Sequence, residues 1–253
     1  PEYGASQFEL SLAHASAVEA ADRLVLARLV LQRVSRRLGL RCSFTPKLTS
    51  DQVGNGGHVH FSLLRHGQPV LQGGDGPGGV LPEGAALIAG VLHHLPALLP
   101  IACPLSASYA RLAPSSWSAP YQVWGIENRE AALRLVPTSV DQVPAHLELK
   151  VADLGANPYL LLGSLQVLAM VALSEAVPLP EPVRGDPARV DGTTAAHARL
   201  PQSLAEGRTA LASSAVLSAA MGELLHGSVL DSIDAEIARC EGLPPDQVIA
   251  STR

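Results

Sequence analysis

Apolar residues near the N-terminus recur at the spacing of an amphipathic helix. The pattern runs from His14 to Leu38, and five arginines lie between the apolar positions. Gly39 follows directly, and glycine commonly ends a helix because it accepts a left-handed backbone. The pattern therefore predicts a first helix that stops at Gly39.

Longer apolar stretches and short strand-like runs follow. We expect a helix from Leu81 to Leu99, broken at Pro96 because proline lacks a backbone N–H, and another from Pro158 to Ser174. The last third is expected to be mostly helical. The runs that predict strands are Arg41 to Phe44, His58 to Leu64, Ala131 to Val136 and His146 to Val151.

These elements are expected to form one domain over residues 1–253, a length that can bury a large single core. The proline-rich segment Val177 to Pro187 resembles a linker, but the helix beyond it is too short and too apolar to stand alone. A net charge of -5 gives no electrostatic reason to expect binding to nucleic acid.

Cysteine spacing and hydropathy indicate the cellular compartment expected for this chain. The three cysteines lie far apart without a C-x-x-C pair, so neither a disulfide framework nor a zinc site is indicated, and a reducing cytoplasm fits best. The apolar stretch Tyr159 to Leu173 falls short of the roughly 20 residues that span a bilayer. We expect a buried helix there and no membrane association. Pro1 is expected to be a cut edge, without a signal peptide.

Two carboxylates near the N-terminus are candidate metal ligands. Glu2 and Glu9 would point to opposite faces of a regular strand, so their convergence needs a bend, which Gly4 to Ser6 can supply. Together they could hold Mg²⁺ or Mn²⁺. A solvated surface is the commoner reason for such a pair.

Histidines alternate on a predicted strand that follows a glycine-rich loop. His58, His60 and Ser62 would share one face, directly after Gly54 to Gly57. Histidines on a buried face need partners for their ring nitrogens, whereas a metal or phosphate site uses those nitrogens. Structurally satisfied histidines remain the alternative.

Two further polar patterns are less specific. Glu148 stands between His146 and Lys150 with the same period of two, which an exposed strand face explains equally well. Arg129 and Arg134 carry guanidinium groups suited to bidentate phosphate binding, although arginines on a solvated face are commoner.

Taken together and in order, five segments resemble motifs of the glutamine synthetase family. The resemblance runs from Glu2 to about Ser218 and weakens beyond it, and it places a small N-terminal domain and a Glu-x-Glu strand upstream of this chain. The matching segments are Glu2 to Leu10, Gly54 to Leu63, Arg111 to Pro120, Trp124 to Arg134, and Glu148 to Leu160 with its Ala-Asn-Pro-Tyr run.

The resemblance implies an α+β fold, in which helices surround an antiparallel half-barrel sheet. It also implies a ligase that joins glutamate to ammonia or a small amine, uses ATP with Mg²⁺ or Mn²⁺, and works as a homo-oligomer. One metal ion would be bound by Glu2 and Glu9, and the other by His58 and Glu148. The roles implied for other residues are ATP contacts for His60, Ser62, Arg129 and Arg134, glutamate binding for Gly54, Arg111 and Lys150, and catalysis for Arg111 and Arg129.

Four positions depart from the family pattern. Val53, His146 and Lys150 stand where the family usually has Asn, Arg and Arg, which leaves open a non-catalytic, structural or regulatory relative. Ser118 stands where a Glu usually helps to attract ammonium. We therefore expect an organic amine to be preferred to ammonia, unless Glu127 or an upstream carboxylate replaces the missing charge.

Overall fold

The computed structural model describes residues 1–139, 143–189 and 197–252, and these form seven α-helices and six β-strands. The helices are α1 (Ala17–Arg37), α2 (Pro82–Ala102), α3 (Ser106–Arg111), α4 (Pro158–Ala172), α5 (Leu204–Ala212), α6 (Ala215–Cys240) and α7 (Pro245–Ala250). The strands are β1 (Val59–Phe61), β2 (Leu64–Arg65), β3 (Gln68–Pro69), β4 (Trp124–Ile126), β5 (Leu133–Val136) and β6 (His146–Leu149).

Helices α1 and α4 confirm the periodicity, and local chemistry sets their ends. Gly39 takes a left-handed φ of 69° just beyond α1, as expected for a residue that ends a helix. Asn157 caps α4, because its side chain accepts hydrogen bonds from the N–H groups of Tyr159 and Leu160. Pro158 then occupies the first turn, where its missing N–H removes no helical hydrogen bond.

Helix α2 continues through Pro96, so the predicted break there is wrong. Proline at this position cannot bond the carbonyl of Leu92, four residues earlier. The side chain of Gln122 takes its place, since its Nε2 donates to Leu92 O at 2.8 Å. A distant glutamine therefore satisfies the carbonyl and lets the helix continue.

Helix α2 is the centre of the core. It packs on α4 and α5, and Gly90 allows the backbones of α2 and α4 to meet closely, because a Cβ there would lie 2.7 Å from Ala172 Cα. Within the described part of the chain, α2 alone has the length and hydropathy of a membrane span. Since 72% of that stretch is buried, the core accounts for its apolar composition.

The main sheet has the strand order β1-β6-β5-β4. Helices flank this sheet, which confirms the expected α+β class. The β1–β6 and β6–β5 pairs are antiparallel, as expected. The β4–β5 pair is parallel, so the sheet is mixed, and the expectation of an antiparallel sheet is wrong for this pair. The connection from 127 to 132 turns back through Glu127, whose φ is 51°, so that β5 starts beside Trp124 rather than forming a hairpin.

Three of the four predicted strand runs contain strands, namely β1, β5 and β6. Residues 41–44 form no strand, because no backbone ladder joins them to a neighbour among the residues described. Sequence reasoning missed β3, β4 and α3, and the section from Pro100 to Pro120 that contains α3 was expected to be rich in loops. The helical last third is confirmed by α5, α6 and α7.

Candidate active site

Glu148 on β6 lies at the centre of a polar cluster on the main sheet. In the strand register, His60 of β1 is opposite Glu148 on one side and Arg134 of β5 is opposite it on the other. Residues that are directly opposite in neighbouring strands present their side chains on the same face. Strands β1 and β5, on either side of β6, therefore bring these side chains together.

Contacts to the Glu148 carboxylate are short and come from several cations and imidazoles. Its Oε1 lies 3.0 Å from His58 Nδ1 and 3.3 Å from Lys150 Nζ, while its Oε2 lies 3.2 Å from Arg134 Nη1. His60 Nε2 is farther away, at 4.0 Å. The Glu148 side chain is only 4% exposed, so these partners compensate a charge that is largely removed from water.

Protonation follows from these neighbours. Burial by itself would raise the pKa of Glu148, but the hydrogen bond from His58 and the charge of Lys150 outweigh it and hold that pKa well below its ordinary value. For His60, burial lowers the pKa and outweighs the attraction of Glu148, and nearby His146 lowers it further. The site thus favours an ionised carboxylate beside a neutral imidazole.

The N-terminal segment forms the predicted bend. Glu2 N donates to Gln7 O at 2.9 Å, and Ser6 takes a positive φ of 59° inside the turn. Both Glu2 and Glu9 are exposed. Across residues 1–139, 143–189 and 197–252, no group of three or more His, Cys, Asp or Glu side chains could hold a metal ion. The structure brings only His58 and Glu148 of the four proposed ligands into contact, and the role of Glu2 and Glu9 remains a prediction.

His58 and Glu148 fit the divalent cation that the family resemblance implies. Nδ1 of His58 and Oε1 of Glu148 lie 3.0 Å apart, so these two side chains are adjacent and would hold such a cation together. Imidazole and carboxylate are also ligand types that Mn²⁺ accepts. A cation there would take over the contacts that Lys150 and Arg134 make to the carboxylate.

The predicted glutamate-binding residues Gly54 and Arg111 are in direct contact. A Cβ on Gly54 would lie 2.7 Å from Arg111 Cδ, so only glycine leaves room for this arginine. Arg111 is 5% exposed, and its Nη2 donates to the carbonyls of Val151 and Ala152. The structure therefore places the Arg111 side chain against the backbone that follows β6, and glutamate binding by it stays a prediction.

The remaining predicted site residues differ in accessibility. Ser62 and Arg129 are exposed, and neither has an ion pair or side-chain hydrogen bond among the described residues. Lys150 is 5% exposed and directs its ammonium to Glu148, so its charge already has a partner in this structure. Arg134 also pairs with Glu127, which makes it a bridge between two carboxylates.

Sequence reasoning missed residues that connect these motifs. The side-chain Nε2 of Gln7 donates to Gly54 O at 3.0 Å and to Asn55 Oδ1 at 2.6 Å, which joins the N-terminal bend to the glycine loop. Asp153 is 2% exposed, and its Oδ2 has no hydrogen-bond partner among the described residues. The position of Gln7, a polar residue between Glu2 and Glu9, could have indicated its role from the sequence. No sequence pattern indicated a role for Asp153.

The loop 113–120 is held in an unusual backbone conformation. Ser115, Trp117 and Ala119 all have positive φ, at 54°, 55° and 58°. Such conformations are costly for residues other than glycine and cluster at functional sites. Ser118 is 4% exposed, and its hydroxyl donates to Ala113 O at 2.8 Å, within the same loop.

Comparison with known proteins identifies the family. Residues 1–249 match the catalytic domain of glutamine synthetase. A gamma-glutamylpolyamine synthetase, GlnA3 of Streptomyces coelicolor, is 43% identical over 100% of this chain and 55% of its own length. A glutamine synthetase of Frankia alni is 32% identical over 72% of this chain and 38% of its own. This chain thus spans about half the length, or less, of these relatives.

Solved structures show the same fold. The crystal structure of a novel glutamine synthase homolog has a TM-score of 0.80 and 32% identity, and the match covers 92% of this chain and 53% of that one. A complex of GmaS with ADP has a TM-score of 0.80 and 26% identity, over 94% of this chain and 55% of its own. Sequence and fold agree, and the chain belongs to the glutamine synthetase family.

Proposed function

We propose that the protein containing this chain is an ATP-dependent ligase that joins the γ-carboxylate of glutamate to an amine. In the first step, the γ-phosphoryl group of ATP passes to that carboxylate, and ADP leaves. In the second, the amine nitrogen attacks the carbonyl carbon of γ-glutamyl phosphate, loses a proton and displaces inorganic phosphate. Membership of the family and the name of the gamma-glutamylpolyamine synthetase relative support this reaction class.

The observation that carries the proposal is the cluster around Glu148. Two cations, Lys150 and Arg134, and two histidines face one carboxylate on a single sheet face. Guanidinium, ammonium and imidazole groups gathered on one face suit phosphate oxygens, which several such donors can bind together. A structural protein would have no need to bury one carboxylate among so many charged partners.

Each residue then has a separate task. His58 and Glu148 would hold a divalent cation, which screens the charges of the ATP phosphates when it is bound. His60, Ser62 and Arg134 would contact ATP, and exposed Arg129 would neutralise the phosphoryl group as it transfers. Gly54, Arg111 and Lys150 would position glutamate. Glu2 and Glu9 would contribute to a second cation together with groups outside this chain.

Preference for an organic amine rests on Ser118 and Glu127. The Ser118 hydroxyl is neutral and hydrogen-bonded inside its own loop, so it offers ammonium no charged partner. Glu127 is the alternative carboxylate, but its Oε2 already pairs with Arg134. Neither group supplies a free negative charge, which favours a substrate that brings its own additional binding contacts. The name of the Streptomyces coelicolor relative points to a polyamine.

Steady-state kinetics of the natural full-length protein test this function. We expect ADP release that requires both glutamate and an amine, with higher kcat/KM for putrescine, spermidine or ethanolamine than for ammonium. Efficient use of ammonium without activity on these amines would refute the amine preference. Absence of turnover with every amine would instead support the non-catalytic alternative, which the departures at Val53, His146 and Lys150 favour.

A further inference from the structure

A cavity lies beside the loop 113–120. It has a volume of about 310 Å³ and opens between this loop, the β4–β5 connection and the chain around Asp186. Its walls include Trp117, Arg129 and Glu130. Arg129 is the proposed phosphoryl-neutralising residue, so the cavity adjoins the place where the acyl phosphate would form.

Two carboxylates shape the cavity by fixing the loop. Glu130 Oε1 accepts a hydrogen bond from Trp117 N at 2.9 Å, and Asp186 Oδ2 accepts one from Ser115 Oγ at 2.6 Å. Ser115 and Trp117 both have positive φ, so these bonds hold residues that would otherwise relax. The wall of the cavity is therefore preorganised before a ligand arrives.

The two carboxylates differ in whether their oxygens and their charge already have partners. Asp186 also accepts from Ala188 N and lies 3.6 Å from Arg189 Nε, so both its oxygens and its charge have partners. Glu130 has no ion pair within the described residues, and its Oε2 has no hydrogen bond there. Burial and the nearby charge of Asp186 also raise the pKa of Glu130, against the hydrogen bond from Trp117. A cation in the cavity would relieve that penalty.

An aromatic surface completes the cavity. The Trp117 ring is stacked on Tyr3, with centroids 5.0 Å apart and planes inclined by 12°. Trp117 remains 49% exposed, although a side chain of this size is usually well buried. Indole faces bind both methylene chains and ammonium groups, the latter through cation–π attraction.

We propose that this cavity binds the distal ammonium group of a di- or polyamine substrate, with Glu130 as its charge partner and Trp117 as its apolar wall. The inference rests on the proposed ligase function and adds the residues that select the amine. An aliphatic amine with a second positive charge matches both the carboxylate and the ring. Ammonium is too small to use either while it reacts.

The test compares Glu130→Gln with wild type in the natural full-length protein. The amide side chain of this variant would retain an oxygen that accepts from Trp117 N, so the change removes charge and keeps the loop contact. Exposed Glu223 on α6 has no interaction among the described residues, and Glu223→Gln is the matched control. Isothermal titration calorimetry with spermidine reports binding, and kinetics with putrescine and butylamine report the value of a second ammonium group.

We expect Glu130→Gln to weaken spermidine binding about tenfold or more, because a charged hydrogen bond becomes a neutral one. The ratio of kcat/KM for putrescine to that for butylamine should fall similarly, while Glu223→Gln changes neither. Unchanged spermidine binding, or equal losses for both amines, would overturn the proposal. Should Glu130→Gln fail to fold, Trp117→Leu must show the same selective loss, and unchanged selectivity there would overturn it too.

Failure of the underlying function gives a different result. If wild type binds spermidine in a Glu130-dependent way but ligates no amine, the binding site stands and the ligase proposal fails. If wild type ligates ammonium and does not bind spermidine, the ligase stands and the cavity proposal fails.

Discussion

At the scale of single residues, the site depends on close packing at one position and on charge balance at another. Glycine at position 54 leaves space for the Arg111 side chain, and Glu148 balances cations that are largely buried. In both cases a small chemical change removes something that the neighbours cannot replace.

Gly54→Ala should destabilise the protein by about 1–3 kcal/mol, because the added methyl overpacks the contact with Arg111. It should also raise KM for glutamate if Arg111 binds that substrate. Gly163 in α4 is the control, since no atom lies within 4 Å of a Cβ there. Gly163→Ala should stabilise by about 0.5–1 kcal/mol through helix propensity. Urea unfolding measures both, and equal effects would contradict this account.

Glu148→Gln should destabilise the protein by about 3 kcal/mol, because it leaves the buried ammonium of Lys150 without its carboxylate. Adding Lys150→Met should cost less in the Glu148→Gln protein than in wild type, since the orphaned charge is then removed. Chemical denaturation of the four proteins of this cycle gives the coupling energy. Additive effects would show that the two side chains do not depend on each other.

At the scale of elements, contacts distant in sequence decide where helices and strands continue. Pro96 favours a break in α2, yet Gln122 binds the free carbonyl of Leu92 and the helix runs on. The chain after β4 similarly turns at Glu127, which makes β5 parallel to β4. Local propensity is thus overridden where a tertiary partner satisfies the backbone.

Gln122→Ala should destabilise by about 1–3 kcal/mol, the range for leaving a buried carbonyl unpaired. In a Pro96→Ala background the new backbone N–H can bond Leu92 O, so the same substitution should cost less. Gln166→Ala, at an exposed position of α4, serves as the control and should change stability little. Thermal and urea unfolding of each protein measure these costs. An equal cost of Gln122→Ala in both backgrounds would contradict the proposed replacement.

At the scale of the whole molecule, the described residues bring together one pair of candidate metal ligands. His58 and Glu148 are in contact, but the described residues contain no group of three metal-binding side chains. Helix α1 buries only Ala21, while Val18 and Leu26 are 66% and 61% exposed. The relatives are also about twice as long.

We expect residues 1–253 expressed alone to show no glutamate-dependent ligation, because the proposed metal sites need more ligands than the described residues bring together. Binding of ADP should still be measurable, since the cluster around Glu148, proposed to contact phosphate, lies within the chain. Calorimetry with ADP tests the expected binding. An ADP-release assay on protein free of host glutamine synthetase tests the expected absence of ligation. Ligation by the isolated chain at a rate comparable to the full-length protein would contradict the prediction.

The amino-acid sequence by itself determined the features that depend on near neighbours. Periodicity placed α1 and α4, Gly39 ended α1 as expected, and three of the four predicted strand runs contain strands. Motif order indicated the family, and alternation put His58 and His60 on one face. These follow from backbone geometry over a few residues and need no knowledge of distant contacts.

The tertiary structure alone decided which of these pieces meet. Strand register placed Glu148 between His60 and Arg134, and packing set Gly54 against Arg111. The hydrogen bond from Gln122 to α2 and the cavity beside Trp117 also depend on long-range contacts. Pairing and packing join residues that are tens of positions apart, and the free energy of those contacts is not encoded in any local pattern.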